Sequence, residues 1–439
     1  MMKEVYESVK KCIRILENEK EKYVQNPQTD FTRLRKISFS DCIMSVCCLS
    51  GGTLFSELLD FYQDSSDPPS VSALLQQRSK LKHHAFEDFF KLTVGLNHSP
   101  LLYQGYRLFA IDGSDVLIPC NPDDENTFFP GVNGQKPYNL VHLNAMYDIL
   151  SNTYQDIVVQ DRMNWAEQDA LNQMVDDSDV QQALVIADRG YESYNVIAHI
   201  QEKGWKYLLR VKDIHGNGII SRLELPQEPC FDVDIDLQIT RKVSKETKRL
   251  FLDKNHNRYA PPNSKLDYLP PHSKYKEDAV FYQLPFRVVR FKISENQYET
   301  LLTNLDRDSF PAEELKRLYA MRWGVETSFR TLKYNVGLLY FHSWKKNLVM
   351  QELFAGLALY NIASTIAAQI PVEKTKTTYS YKINVAKAVL ICRKLFLNRI
   401  SLHLAEKLLL KSVVPVRTNR TFRRKNSTRI AINFIYRVA

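Results

Sequence analysis

Between residues 107 and 211 the chain alternates short apolar runs with amphipathic stretches in an order that few folds accommodate. Residues 107–111 read as a strand leading into Asp112, and strands at 142–147 and 155–159 follow, each bounded by turn-forming residues. Residues 165–175 have the spacing of an amphipathic helix. Ala183–Ala187 is an apolar strand ending at Asp188, residues 193–201 form a helix after Gly190, and Lys206–Val211 is a further strand. Three strands, helix, strand, helix, strand is the pattern of an α/β core around a mixed sheet.

The flanks differ in character. Residues 1–100 are predicted helical, with apolar residues at three-to-four spacing in 5–16 and 86–96, and Pro68 and Pro69 divide the region. Interspersed basic residues (Arg33, Arg35, Lys36, Arg78, Lys80, Lys82) fit a small DNA-contacting module and equally a plain helical domain with charged faces. After Asp213 the pattern becomes strand-like: Phe231–Thr240 alternates strictly between apolar and polar residues. Residues 241–258 carry seven basic side chains against two acids, 259–272 is proline-rich, and 286–293 and 298–302 are again strand-like. The expected division is a helical domain at 1–100, a first core segment at 101–212 and a β-rich insertion at 213–304 with one basic edge. A helix at 305–345 would complete the core, and 346–439 would form a helical region with a basic tail.

A hydrophobic fraction of 44% with 25% charged residues is that of a globular protein. The first 23 residues are rich in lysine and glutamate and lack the apolar stretch of a signal peptide. The least polar stretch, 353–370, contains Asn361, Ser364, Thr365 and Gln369, which favours a buried helix over a membrane span. Seven cysteines without a CxxC pair suggest a reduced, cytoplasmic protein with no zinc site. The net charge of +9 is concentrated at the end of the chain: residues 411–439 hold eight Lys or Arg and no acid, which leaves about +1 elsewhere. Such a tail suits a polyanion, because each neutralised phosphate releases counterions. Charge alone suggests nucleic acid without establishing it.

Asp112 lies in Phe109-Ala110-Ile111-Asp112-Gly113-Ser114 and Asp188 in Val185-Ile186-Ala187-Asp188-Arg189-Gly190-Tyr191. Acids at the carboxyl ends of neighbouring strands can converge on one site, and magnesium takes oxygen ligands while keeping several waters. Taken singly, a strand-end aspartate is more often a turn cap. A third element is more specific. Ser309, Pro311, Glu313 and Glu314 open a helix on which Tyr319, Arg322, Glu326 and Lys333 fall within a stripe of about 60°. Leu318, Met321, Val325, Phe329 and Leu332 form the adjoining apolar stripe. A carboxylate among two cations and a phenol suits a metal ligand flanked by phosphate donors; a solvent-facing Arg322–Glu326 ion pair is the plainer alternative.

The spacing Tyr319-x2-Arg322-x3-Glu326-x6-Lys333 resembles the Y-R-E-K signature of cut-and-paste bacterial insertion-sequence transposases of the DDE class. The segments around Asp112 and Asp188 resemble that family's two aspartate motifs, and the likeness extends over about 106–359. The resemblance implies a ribonuclease-H-like core with a β-rich insertion. Asp112, Asp188 and Glu326 would be catalytic and would hold two Mg2+ ions, with Mn2+ able to substitute. Tyr319, Arg322 and Lys333 would bind DNA phosphates, and Tyr319 would not be a nucleophile. The implied reaction is cleavage at terminal inverted repeats followed by strand transfer. The implied partners are transposon-end DNA, target DNA and a second copy of the chain in a synaptic dimer, in the bacterial cytoplasm at the nucleoid and away from membranes. Candidate DNA contacts are Arg189, Arg241, Lys242, Lys245, Lys248, Arg249, Arg423, Arg424 and Lys425. One departure is that 213–304 contains no tryptophan to stack on a flipped base. Tyr259, Tyr268, Tyr275, Phe281, Tyr282 or Tyr298 would have to serve, and a hairpin pathway is left open. His142 could approach the site but is expected to be a hydrogen-bonded core histidine, Asp115 and Asp148 are expected to be structural, with Asp115 near enough to Asp112 to contact a metal, and Trp323 is expected to be a packing residue. A simple nuclease would share the metal site, and a non-enzymatic DNA-binding descendant would share the charge.

Overall fold

The computed structural model describes residues 2–416, except 64, 98, 132, 133, 135, 271–277, 296 and 373–380. Six helices come first: α1 (Met2–Asn18), α2 (Lys20–Tyr23), α3 (Phe39–Cys48), α4 (Leu54–Phe61), α5 (Val71–Ser79) and α6 (His84–Val94). α1 buries Val5, Val9, Cys12, Ile13 and Leu16 on one stripe. Ser38, Thr53 and Ser70 each cap a helix by accepting a backbone N–H, and at Ser38 the Asp41 carboxylate closes a reciprocal capping box.

The core follows as β1 (Arg107–Ile118), β2 (Phe128–Phe129), β3 (Tyr138–Asp148), β4 (Thr153–Gln160), α7 (Glu167–Asp176), β5 (Ala183–Ala187), α8 (Tyr194–Glu202) and β6 (Lys206–Val211). β4, β3 and β1 pair antiparallel in that order, and β1, β5 and β6 pair parallel. Parallel neighbours need crossovers, which α7 and α8 supply. This antiparallel-then-parallel order is the ribonuclease-H-like mixed sheet. β1 runs past the expected end at residue 111, so Asp112 lies inside the strand rather than after it. Its antiparallel partner β3 keeps pairing as far as Ile118 with Asn139, long after β5 has stopped.

The strands of 213–304 extend this same sheet. They are β7 (Phe231–Thr240), β8 (Asn257–Tyr259), β9 (Tyr282–Ser294) and β10 (Gln297–Thr303), with α9 (Lys245–Leu250) between β7 and β8. β10 pairs β6, β9 pairs β10, β7 pairs β9, and β8 forms the far edge. Two ion pairs with buried arginines tie β9 to its surroundings: Arg287 with Asp232 on β7, and Arg290 with Asp213 just after β6. Each arginine also donates to a backbone carbonyl, so the buried charge is well satisfied.

α10 (Ala312–Met321) and α11 (Trp323–Thr331) replace the single expected helix, joined at Arg322, whose backbone stays near helical values (φ −51°, ψ −34°). A π-helical turn at Leu332–Val336 ends at Gly337, whose φ of +109° favours glycine. α12 (Lys346–Gln369), α13 (Val385–Phe396) and α14 (Leu402–Leu410) follow, with a small hairpin of β11 (Tyr381–Ile383) and β12 (Val413–Pro415). α12 is buried on all sides by α6, α3, α1, α13 and β4, which explains its apolar sequence. No helix of the described residues is long and apolar enough to cross a membrane. The sheet has period two, and its faces have separate cores. Phe109, Ile111, Val185 and Ala187 face α7 and α8; Leu108, Leu184 and Ile186 face α10.

Candidate active site

The sheet brings the two aspartates together. β1 and β5 run parallel with Ala110 opposite Ile186; two residues further on, on the same face, that register carries Asp112 and Asp188. This is the face covered by α10 and α11. α11 is fixed to the sheet by Val325 and Phe329 in the core and by a 2.8 Å hydrogen bond between Ser328 Oγ and the buried Tyr154 hydroxyl. The helix passes close over the sheet at Gly324, where a Cβ would just reach van der Waals contact with Ile149 Cγ2 at 3.6 Å and Tyr147 Cε1 at 3.9 Å, leaving no room for a larger side chain on that side. Glu326 therefore hangs over the ends of β1 and β5.

Arg322 links the helix to the strand. Its guanidinium is 2.6 Å from Glu326 Oε1 and 3.6 Å from Asp112 Oδ2, and the residue is only 4% exposed. The expected Arg322–Glu326 pair thus exists, but beside a strand aspartate rather than on a solvent face. Burial pushes the Asp112 carboxyl up, Glu326 and Asp188 add like-charge repulsion, and the group reaches about 6 despite Arg322 and the Gly113 amide. Asp188 accepts the Gly190 N–H at 2.8 Å. Tyr319 is buried on α10, and burial first, then Glu299 and Asp188, push its phenol up to about 12. Among the described residues its hydroxyl has no hydrogen-bond partner, nor do Nε and Nη1 of Arg322 or the hydroxyl of buried Tyr191. Lys333 sits at the start of the π-turn, where burial lowers its pKa and Asp115 partly opposes the effect.

A second cluster adjoins the first and was not anticipated in this form. His142 on β3 places Nδ1 2.7 Å from Asp115 Oδ1 and Nε2 3.1 Å from Glu167 Oε1, with its ring against Trp165. Burial opposes charging the ring, but the two carboxylates outweigh it and raise His142 to about 9. Glu167 carries no local signature: it opens α7, far along the chain from both aspartates. Gly113 is the available clue, because a Cβ there would overlap His142 Nε2 and lie 2.9 Å from Glu167 Oε1.

The other candidates lie apart. Arg189 is exposed in the turn after Asp188. Lys245, Lys248 and Arg249 are exposed on α9, and Lys242 is half-buried just before it, all beside the outer edge of the sheet. Arg241 is committed internally, donating to the carbonyls of Pro261, Ser264 and Leu266. Arg423, Arg424 and Lys425 lie outside the described residues, as does Tyr275. Asp148 pairs with Arg107 at 2.7 Å. Trp323 is 49% exposed with the Arg322 guanidinium over its ring.

No curated protein matches the chain. Among solved structures, a cryo-EM structure of the piggyBac transposase synaptic complex with hairpin DNA is similar at 11% identity. The likeness covers 88% of this chain and 77% of that one, with a TM-score of 0.43. A family model described as a transposase DDE domain matches residues 103–362, from just before β1 into α12 and over more than half of the sequence. The chain belongs to the DDE-domain transposase family.

Proposed function

We propose that this transposase cuts DNA at the terminal inverted repeats of a bacterial cut-and-paste insertion sequence and joins the freed ends to target DNA, using Asp112, Asp188 and Glu326. The Y-R-E-K subgroup assignment rests on Tyr319, Arg322, Glu326 and Lys333. The observation that carries the reading is Arg322, buried between Asp112 and Glu326, with Asp188 close enough for its charge to act on Asp112. A salt-bridged surface helix would not set a third carboxylate beside that pair.

The residues fit divalent ions. All three donors are carboxylate oxygens, the hard ligands that Mg2+ and Mn2+ take. Asp112 and Glu326 flank one guanidinium, and the Asp112 pKa is raised by burial first and then by the charges of Glu326 and Asp188, a cost that a bound cation would relieve. Two ions held there supply a lowered water pKa and stabilise the leaving 3′-oxygen. Arg322, whose Nε has no hydrogen-bond partner among the described residues and whose Nη1 reaches Asp112 only at 3.6 Å, is disposed to hold a phosphate oxygen next to the carboxylates, and the Tyr319 hydroxyl to donate to another. Lys333, less basic than an exposed lysine and near Asp115, adds charge at the opposite end of the helical stripe. The 1–100 helices, exposed α9 and the basic tail are assigned to gripping DNA, and a synaptic dimer in the cytoplasm at the nucleoid to cutting both ends together.

The test is an inverted-repeat duplex, taken from the sequence flanking the coding region, incubated with the protein and Mg2+. The wild type is expected to nick and join it, while Glu326→Ala binds the duplex without cutting. Equal cutting by E326A would overturn the assignment, and cutting without joining would leave a nuclease.

A further inference from the structure

Glu167 approaches the aspartates from the side of the sheet opposite Glu326. It opens α7, whose residues Leu171 and Val175 pack in the core behind β1 and β5. Its carboxylate meets the backbone beside both aspartates. Oε1 lies 2.9 Å from where a Gly113 side chain would begin, and Oε2 lies 3.4 Å from the equivalent point at Gly190, which is itself 3.2 Å from Asp188 Oδ1. The neighbouring Gln168 donates to the Gly190 carbonyl at 3.0 Å and holds the two segments together.

We propose that Glu167 is a fourth carboxylate of the divalent-metal site, sharing an ion with Asp188, and that the Asp115–His142 pair positions it. This rests on the reading of Asp112, Asp188 and Glu326 as metal ligands. His142 Nε2 lies 3.1 Å from Oε1 as an ion pair, and Oε2 lies on the Gly190 side, 3.4 Å from where a side chain there would begin. A ligand carboxylate oriented by an imidazole, itself oriented by a second carboxylate, is the outer-shell arrangement that fixes metal ligands. Independent support comes from Tyr191. This residue is 1% exposed, its hydroxyl has no hydrogen-bond partner, and the charges acting on it are Glu167, Asp112 and Asp188, with Arg322. An unpartnered buried hydroxyl among three carboxylates suits a site where an ion and its waters gather.

The experiment is a Mn2+ titration of the full-length protein without DNA, read by electron paramagnetic resonance. Tb3+ luminescence sensitised through Trp165, which stacks on His142, gives a second readout. Glu167→Gln retains an oxygen to accept from His142 but removes the charge. The expected result is a Mn2+ dissociation constant raised about tenfold or more in E167Q, with an unchanged melting temperature. His142→Gln should shift it less, in the same direction. If E167Q proves unstable, Glu167→Asp, which keeps the charge but withdraws it by one methylene, should weaken binding with the fold intact. Titration curves for E167Q and E167D that superimpose on the wild type, while Asp188→Asn weakens binding, would overturn the inference alone. A wild type that binds no Mn2+, or an Asp188→Asn variant that binds like the wild type, would overturn the triad reading and this inference with it.

Discussion

At the residue scale the chemistry turns on carboxylates kept together against their mutual repulsion. Asp112 makes this measurable. Its folded pKa of about 6 lies above the ordinary 3.8, so the folded chain binds a proton more readily than the unfolded chain, and ionising Asp112 destabilises the fold at neutral pH. Asp112→Asn removes that charge without changing the shape. The variant should be more stable than the wild type above pH 6, by about 1–3 kcal/mol, and inactive. The gain should fade as pH drops from about 6 toward 4, where the wild type becomes protonated. Thermal melts across pH 4–8 in the absence of metal would check it, and equal melting at pH 8 would refute the assigned burial. Gly113 offers a steric test. Gly113→Ala puts a methyl group into His142 Nε2 and Glu167 Oε1, so β3 and α7 must shift. Loss of cleavage with DNA binding retained is the expected outcome in a gel-shift and nicking assay.

At the scale of elements, α11 matters more for where it docks than for its helical propensity. The Ser328–Tyr154 hydrogen bond and the close approach at Gly324 set the height of Glu326 above the strand ends. Ser328→Ala would leave the buried Tyr154 hydroxyl without its partner, at about 1–3 kcal/mol in chemical denaturation. Gly324→Leu would lift the helix off β3, and the expected signature is weakened metal binding together with a lower melting temperature. The amphipathic stripe from Leu318 to Leu332 was readable from the residues, because periodicity is a local property. The break at Arg322 and the π-turn at Leu332 were not: they follow from how the helix accommodates the sheet beneath it. The extension of β1 through Asp112 has the same origin, since only the partner β3 shows that the polar run keeps its ladder.

At the scale of the whole molecule, α1 and α3 to α6 do not stand apart from the C-terminal helices. Both groups bury their apolar faces on α12 and on the β1, β3 and β4 surface that docks α11. A buried ionic group crosses the junction: Arg78 of α5 donates to Glu352 at 2.8 Å and to the Leu348 carbonyl, and His342 lies 3.2 Å from the same glutamate. Arg78→Met would strip Glu352 of its guanidinium partner inside the core. A loss of about 3–5 kcal/mol is expected, read by urea unfolding as one cooperative transition that moves as a whole. Independent melting of residues 1–94 would contradict the shared core. Because this body carries α12 and braces the sheet under α11, the same variant should weaken cleavage without touching the carboxylates.

Elements and chemistry with local signatures were legible in the residues alone. A short continuous apolar run marked Ala183–Ala187 as a strand, alternation at two residues marked Phe231–Thr240, the 3.6 period marked the flanking helices, and Tyr319, Arg322 and Glu326 shared one helical stripe. Each of these is a property of consecutive backbone geometry. What only the tertiary structure decided is everything that depends on residues far apart in the chain. The parallel register sets Asp112 beside Asp188, strands β7 to β10 extend the core sheet, and the Asp115–His142–Glu167 link reaches the aspartates from behind. The physical reason is that a side chain's neighbours across a sheet are chosen by strand order and register, and neither is written in any short stretch of residues.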